Sequence, residues 1–236
     1  MNVEHFGMLL QEGYRARAYL QKLISVNLLP LFVILLKSSN KKPDTFHDNP
    51  HTIPLDFYNP NREEVESLEE ANIAYTVMHA ESCNDEQVVK ELAKRPEEYF
   101  VFAGYGILRE VFKAGKKLIH VHPGKLPQYR GSTCPYYSIL IEGTWYCTAL
   151  IMEEGIDQGD IITMKEFPLP ARGIDATRIY DPYTRAEVLV DVIKQLADTG
   201  ALKTYKQDLM QGTDYFIIHP VLEYIAKEFC KKSSND

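Results

Sequence analysis

Cysteine is scarce in this chain and never appears in close pairs. Its four copies, Cys83, Cys134, Cys147 and Cys230, lie far apart and form no CxxC. That excludes a thiolate zinc knot or a thioredoxin-type motif and reads as free thiols of a reducing compartment. Long hydrophobic runs are also missing. The apolar stretch from Leu28 to Leu36 is far shorter than the ~20 residues a membrane span requires. No basic-then-apolar pattern opens the chain, so a cytoplasmic protein with no membrane partner is expected. Positive charge is in deficit, with 26 Lys and Arg against 33 Asp and Glu, a net charge of −7. That argues against a nucleic-acid partner, because neutralising phosphates needs clustered Lys and Arg. No GxGxxG follows the first apolar stretch, which removes the dinucleotide fingerprint. No internal repeat is visible, which removes solenoids.

What is present is an ordinary globular composition: 236 residues, 45% hydrophobic and 25% charged. Such a length suits one domain, or one domain with a small appendage. The chain opens with an apolar stretch, a helix-prone segment over Gln11–Ser25 and a buried-strand pattern over Leu31–Leu36. Strand, helix, strand is how a doubly wound α/β fold begins. A polar, proline-punctuated loop is expected over Lys37–Asn61. Further strands are expected over Ile73–Met78, Tyr99–Gly104, Thr144–Met152 and Ile161–Phe167. Helices are expected over Glu63–Ala71, from a cap at Asn84 to Lys94, over Ser132–Glu142 and over Ala186–Leu196. The pattern divides into a main domain over 1–200 and a short C-terminal extension over 201–236. The extension should hold a strand over Tyr215–Ile218 and a helix opened by Pro220, with Val221, Leu222, Ile225 and Phe229 on one face. That face is free for a homodimer contact.

Two stretches carry chemistry. Leu118-Ile-His-Val-His-Pro-Gly-Lys-Leu-Pro-Gln-Tyr-Arg-Gly131 is an apolar strand that ends in a turn-rich loop. His120 and His122 stand at i and i+2, so in an extended segment both point to one face. Ala149–Ile162 answers it: an apolar strand, the acidic loop Glu153-Glu154-Gly155-Ile156-Asp157-Gln158-Gly159-Asp160, and a second apolar run. Strand ends that face loops are where open α/β sheets bind ligands. Two imidazoles and a loop carboxylate suffice for proton transfer or for holding a metal.

The pairing of HxHPxxLPxYRG with EEGxDxGDII resembles the 10-formyltetrahydrofolate-dependent formyltransferases, over about residues 99–167. The resemblance implies a mostly parallel Rossmann-like sheet, 10-formyltetrahydrofolate as co-substrate and formyl transfer to a primary amine. It places His120, His122 and Asp157 as the catalytic residues. His122 would stabilise the oxyanion, and Asp157 would orient it or relay the proton. The folate would lie against Gly106, Ile107 and Leu108 of one loop and Glu153, Glu154, Gly155 and Ile156 of the other. Lys125, Tyr129 and Arg130 are the candidate substrate contacts, Arg130 for a diphosphate. No resident metal is implied. The sequence departs from the family at one place: His120 stands where most members have Asn.

The appended domains and phosphate loop that serve tRNA, glycinamide ribonucleotide and folate hydrolysis in this family are not recognisable in the sequence. The expected acceptor is therefore a nucleotide-linked amino sugar, in polysaccharide assembly. Two other readings stand beside it. His120, His122 and Asp157 could form the metal triad of a hydrolase, or the chain could bind folate with little turnover. Ordinary structural explanations exist as well. Asp157 suits a turn, Glu153 and Glu154 suit solvated charges, and Ile107, Leu108, Tyr129 and Arg130 suit loop packing.

Overall fold

Strand β1 (Phe6–Gln11) is buried along nearly its whole length, and its side chains divide between two layers. Met8 and Leu10 pack with Tyr19, Leu23, Val188 and Ile193, whereas Leu9 packs with Val88 and Leu92. A strand buried on both faces is what a parallel sheet under helices requires. The computed structural model describes residues 6–38, 57–171 and 173–233. Most of the expected loop over 37–61 lies outside the described residues.

The elements run β1, α1 (Tyr14–Ser25), β2 (Val33–Lys37), α2 (Glu64–Glu70), β3 (Tyr75–His79), α3 (Glu86–Lys94), β4 (Tyr99–Ala103) and β5 (Lys117–His122). They continue with β6 (Tyr129–Gly131), α4 (Cys134–Glu142), β7 (Trp145–Ile151), β8 (Ile161–Phe167), α5 (Asp181–Thr199), β9 (Thr213–Tyr215) and α6 (Pro220–Ser233). The main sheet has seven strands in the order β3-β2-β1-β4-β5-β7-β8. Its first five pair in parallel, and β7 and β8 add antiparallel. This is the doubly wound α/β fold expected, with an antiparallel edge. Strand order reverses between β1 and β4, and ligands of such sheets bind at the carboxyl ends beside that point.

β6 and β9 form a small parallel pair of their own, joining the 201–233 segment to the loop after β5. Gly131, at the end of β6, has φ of 102°, and a Cβ there would lie 2.2 Å from the Tyr215 carbonyl oxygen. Only glycine accepts both conditions. The strand expected over Tyr215–Ile218 thus falls two residues earlier, because β6 offers only three residues to pair with. After it, Ile218 N donates to Thr133 Oγ1 instead of to a neighbouring strand.

One further expectation changes. Asn84 does not cap α3, whose N-cap position is Asp85. Its side chain reaches the loop after β4 instead, accepting from Arg109 N and Val111 N and donating to the Ile107 carbonyl. In α6 the buried residues are Ala226 and Cys230, while Val221, Leu222, Ile225 and Phe229 are exposed. Among the described residues, no helix is long and apolar enough to cross a membrane.

Candidate functional site

His120 and His122 end β5, with Ile119 and Val121 pointing into the opposite layer. The shared face read from the sequence is thus realised at the carboxyl edge of the sheet. Both rings are buried, His122 almost completely. Its Nε2 lies 2.8 Å from the Tyr129 carbonyl oxygen. A carbonyl can only accept, so Nε2 carries the hydrogen. Its Nδ1 lies 3.2 Å from Asp157 Oδ2.

Asp157 reaches this place from the loop between β7 and β8. Its backbone is left-handed, with φ of 52°. That conformation is uncommon outside glycine, though aspartate tolerates it better than most residues. Three contacts hold it there. Gly131 N donates to Oδ2 at 2.9 Å, and Gln207 Nε2 donates to the carbonyls of Asp157 and Gly159. Gly159 is required by closeness: a Cβ there would sit 1.7 Å from the Ile151 carbonyl oxygen. The aspartate is therefore positioned by backbone from β6 and by a side chain from the C-terminal segment.

Burial favours the neutral form of both imidazoles. It holds His120 well below the ordinary histidine value, aided by the positive charges of Arg15 and Arg185. His122 is also lowered by burial, while the Asp157 carboxylate pulls the other way. With Nε2–H committed to Tyr129, a neutral His122 presents a bare Nδ1 to a carboxylate oxygen. Two facing lone pairs attract only when a proton or another cation sits between them. The pair is therefore matched to take up one proton and to release it. His120 Nδ1 is shut off from solvent and has no hydrogen-bond partner. One donor atom from each of His120, His122 and Asp157 lies within 4.8 Å of the others.

Arg185 supports this group and was not foreseen. From α5 it donates through Nη1 to the Val121 carbonyl, between the two histidines, and through Nε to Asp181 at 2.8 Å. A sequence signal existed, an Asp and an Arg at i and i+4 near the start of an apolar helix. Gln207 and the Gly131 N–H left no comparable signal, since their role depends on the β6–β9 pairing.

The other expected residues divide. Ile107 and Ile156 are exposed, as are Gly106, Glu153 and Glu154, and Gly155 is half-buried. Leu108 is buried with Phe102 and Val111 in the layer beneath its loop, so it packs that loop down. Arg130 is not the free diphosphate fork expected. It is buried, with Nε on Asp214 Oδ1 at 2.7 Å and Nη1 on the carbonyls of Pro127 and Gln211, which fastens the loop after β5 to the C-terminal segment. The Tyr129 hydroxyl donates to Glu142, and Lys125 pairs with the same carboxylate at 3.3 Å. The Tyr129 backbone, not its ring, touches the histidine. A cleft of about 410 Å³ lies against Arg109, Glu110, Phe112, Lys113 and Glu154. None of these five belongs to the His–His–Asp group, so the buried group and the open cleft are separate features.

The formyl transferase family model matches residues 17–193, most of the chain. The chain belongs to the formyl transferase family. Among the family's curated proteins, the methionyl-tRNA formyltransferase of Lachnospira eligens is 29% identical over 151 residues, covering 61% of this chain and 47% of that protein. The match thus spans about half the length of that relative. Among solved structures, a sugar N-formyltransferase from Shewanella sp. FDAARGOS_354 superimposes with a TM-score of 0.58 at 18% identity, covering 96% of this chain and 87% of that one. An N-formyltransferase from Helicobacter canadensis, in complex with folinic acid and dTDP-3-aminofucose, gives 0.58 at 16% identity over 91% of this chain and 71% of that one. These similarities agree with the doubly wound sheet described above.

Proposed function

We propose that this chain transfers a formyl group from 10-formyltetrahydrofolate to a primary amine, and that the amine belongs to a nucleotide-linked amino sugar. The observation that carries the reaction is the His122–Asp157 pair, 3.2 Å apart, at the carboxyl edge of a formyl transferase sheet. The co-substrate supplies an activated formyl carbon. The residues beside the site fit such a group: exposed Tyr105 and Ile107 after β4 and exposed Ile156 before Asp157 offer apolar surface. Gln11 Oε1, Asn84 and Arg15 fix the loop after β4 through backbone groups of Tyr105, Ile107, Arg109 and Gly104.

In the reaction the amine nitrogen bonds to the formyl carbon, and the bond from that carbon to the folate nitrogen breaks. One proton must leave the attacking nitrogen and one must reach the departing nitrogen. The His122–Asp157 pair takes the first and returns it to the second. His120, buried beside them, contributes a ring nitrogen toward the oxygen that gains charge. Burial disfavours the charged form of both imidazoles.

Support for an amino sugar comes from solved neighbours that are sugar N-formyltransferases; coverage does not separate them from methionyl-tRNA formyltransferase, whose solved structure from Clostridium thermocellum covers 92% of this chain. The net charge of −7 also disfavours a polyanion such as tRNA. With Arg130 held by Asp214, and Lys125 at the loop edge paired with Glu142, a diphosphate would have to displace one of these carboxylates or be met by other cations. The test is to incubate chelator-treated protein with 10-formyltetrahydrofolate and a panel of nucleotide-linked amino sugars, free amino sugars and small amines. Formylation of the nucleotide-linked sugars supports the assignment. Formylation confined to small amines overturns the acceptor, and none with any amine overturns the reaction.

A further inference from the structure

We propose that His120, His122 and Asp157 form a binding site for one divalent transition-metal ion of the Zn²⁺ or Co²⁺ class. The ion would occupy the position between His122 Nδ1 and Asp157 Oδ2 that a proton takes in formyl transfer. Loaded protein should therefore be inactive in that reaction, and the two readings are tested on separate forms of the protein, loaded and chelator-treated.

Four observations carry it. The first is composition and closeness. Two imidazoles and a carboxylate, each with a donor atom within 4.8 Å of the others, make up a two-histidine, one-carboxylate set. Such a set suits borderline first-row ions. The second is distance. His122 Nδ1 and Asp157 Oδ2 are 3.2 Å apart. Two ligands bound at about 2.0–2.1 Å and subtending about 100° at an ion are separated by this amount.

The third is the outer shell. A histidine that ligates through one nitrogen characteristically donates its other N–H to a carbonyl or carboxylate, which fixes tautomer and ring orientation. His122 does this through Nε2 to the Tyr129 carbonyl, leaving Nδ1 as the lone-pair atom on the Asp157 side. Asp157 is fixed in the same way, by Gly131 N on Oδ2 and by Gln207 on its backbone carbonyl. The fourth is the unsatisfied ring. His120 is more than nine-tenths buried, and its Nδ1 makes no hydrogen bond. A buried polar atom without a partner is costly, and a cation bound at Nδ1 would offset that cost. His120 also takes the set from two ligands to three. An amide at this position offers only a carbonyl oxygen, a poorer ligand than imidazole nitrogen for ions of this class.

The test starts from full-length protein stripped with a chelator. Co²⁺ is titrated while visible absorption is recorded, and Zn²⁺ is measured by equilibrium dialysis with thermal unfolding alongside. One ion per chain is expected, with a cobalt spectrum of nitrogen and oxygen ligation, and Zn²⁺ should raise the unfolding temperature. His120→Asn should weaken binding by ~100-fold or more and abolish the thermal shift. Asp157→Asn, close to isosteric, is the second variant should the first fail to fold, and it should do the same. Exposed His79 and His219 could collect ions at the surface, and only these variants separate that from the buried site. Absence of cobalt uptake by the wild-type protein overturns the proposal. So does uptake that either folded variant leaves unchanged. Formyl transfer is assayed separately with chelator present, so failure there and failure here are distinguishable.

Discussion

The two loops at the carboxyl edge of the sheet are built on opposite principles. The side formed by 120–131 and 157–159 is largely buried and held by backbone hydrogen bonds. It takes its shape from Gly131 and Gly159, whose missing Cβ atoms let distant segments approach. The side formed by 104–113 and 153–156 is open to solvent. It is stapled from beneath by Gln11, Arg15 and Asn84, and it leaves Tyr105 and Ile107 outside. The first can hold a proton at a defined atom. The second can meet a ligand of variable shape. Rigid, dry geometry is where electrostatics is strong, and a surface that keeps apolar groups in water gains by covering them. Substitutions on the two sides should therefore break different quantities.

The largest effect is expected on the buried side. His122→Ala and Asp157→Asn should each lower kcat for formyl transfer by ~10²-fold or more, about 2.7 kcal/mol of barrier, with smaller change in KM. Stopped-flow or discontinuous assays of folate product at saturating amine measure this. His120→Asn should cost much less, since an amide can also donate to the developing oxyanion. Equal losses for all three would remove the distinction between a proton-carrying pair and a supporting ring. Next in size is Gly131→Ala, which places a Cβ on the Tyr215 carbonyl at positive φ. It should destabilise the fold by about 1–3 kcal/mol and misplace Asp157 at once, because Gly131 N is the donor to Oδ2. Denaturant melts give the first number and kcat the second. A variant with lost stability but full kcat would show that Asp157 does not depend on this N–H.

The buried side was also the more legible in sequence, for a physical reason. Strand alternation fixes where His120 and His122 point, and Asp157 lies in a short connection between adjacent antiparallel strands, so local rules reach all three. Gln207, Asp214 and the Gly131 N–H belong to it only through the pairing of β6 with β9, more than eighty residues apart, which no local periodicity encodes. The same pairing explains why Arg130 was misread. A loop arginine looks free until the strand that carries Asp214 is laid against it. Asn84 failed similarly. Its capping-box spacing was genuine, but two backbone N–H groups of a distant loop competed for its oxygen. Of the open side, the sequence placed the loops but not which apolar side chain turned inward. Leu108 and Ile107 are neighbours of the same type, and only the layer beneath decides between them.

Burial of the two histidines adds a pH signature to the first side. Both have their values lowered on folding, His120 by burial and the nearby Arg15 and Arg185, and His122 by burial against the pull of Asp157. The unfolded chain then binds more protons than the folded one just below the ordinary histidine value, so stability falls as pH drops. The unfolding free energy of chelator-treated protein should be flat above about pH 7 and decline as pH falls through about 6.5, the ordinary histidine value. His120→Asn removes one of the two titrating rings and should make the decline shallower. An unchanged slope would mean that the sensitivity arises elsewhere.

The smallest effects belong to the open side, and they are diagnostic for being confined to binding. Ile107 is 58% exposed and Ile156 50% exposed. Neither can contribute much to folding, because truncating a side chain that already lies half in water removes little buried area. Ile107→Ala and Ile156→Ala should leave the unfolding free energy within about 0.5 kcal/mol of wild type. If folate covers them, each loses about 1 kcal/mol of apolar contact on truncation, roughly a 5-fold rise in KM for 10-formyltetrahydrofolate. Because that contact is equal in ground state and transition state, kcat should stay put. The double variant adds a check on geometry. The two residues sit on different loops, so additive effects mean separate contacts, and a shortfall means that both touch the same face of the ligand. A fall in kcat from either single variant would instead tie the open side to the chemistry of the buried one, and the division between holding a proton and meeting a ligand would have to be drawn elsewhere.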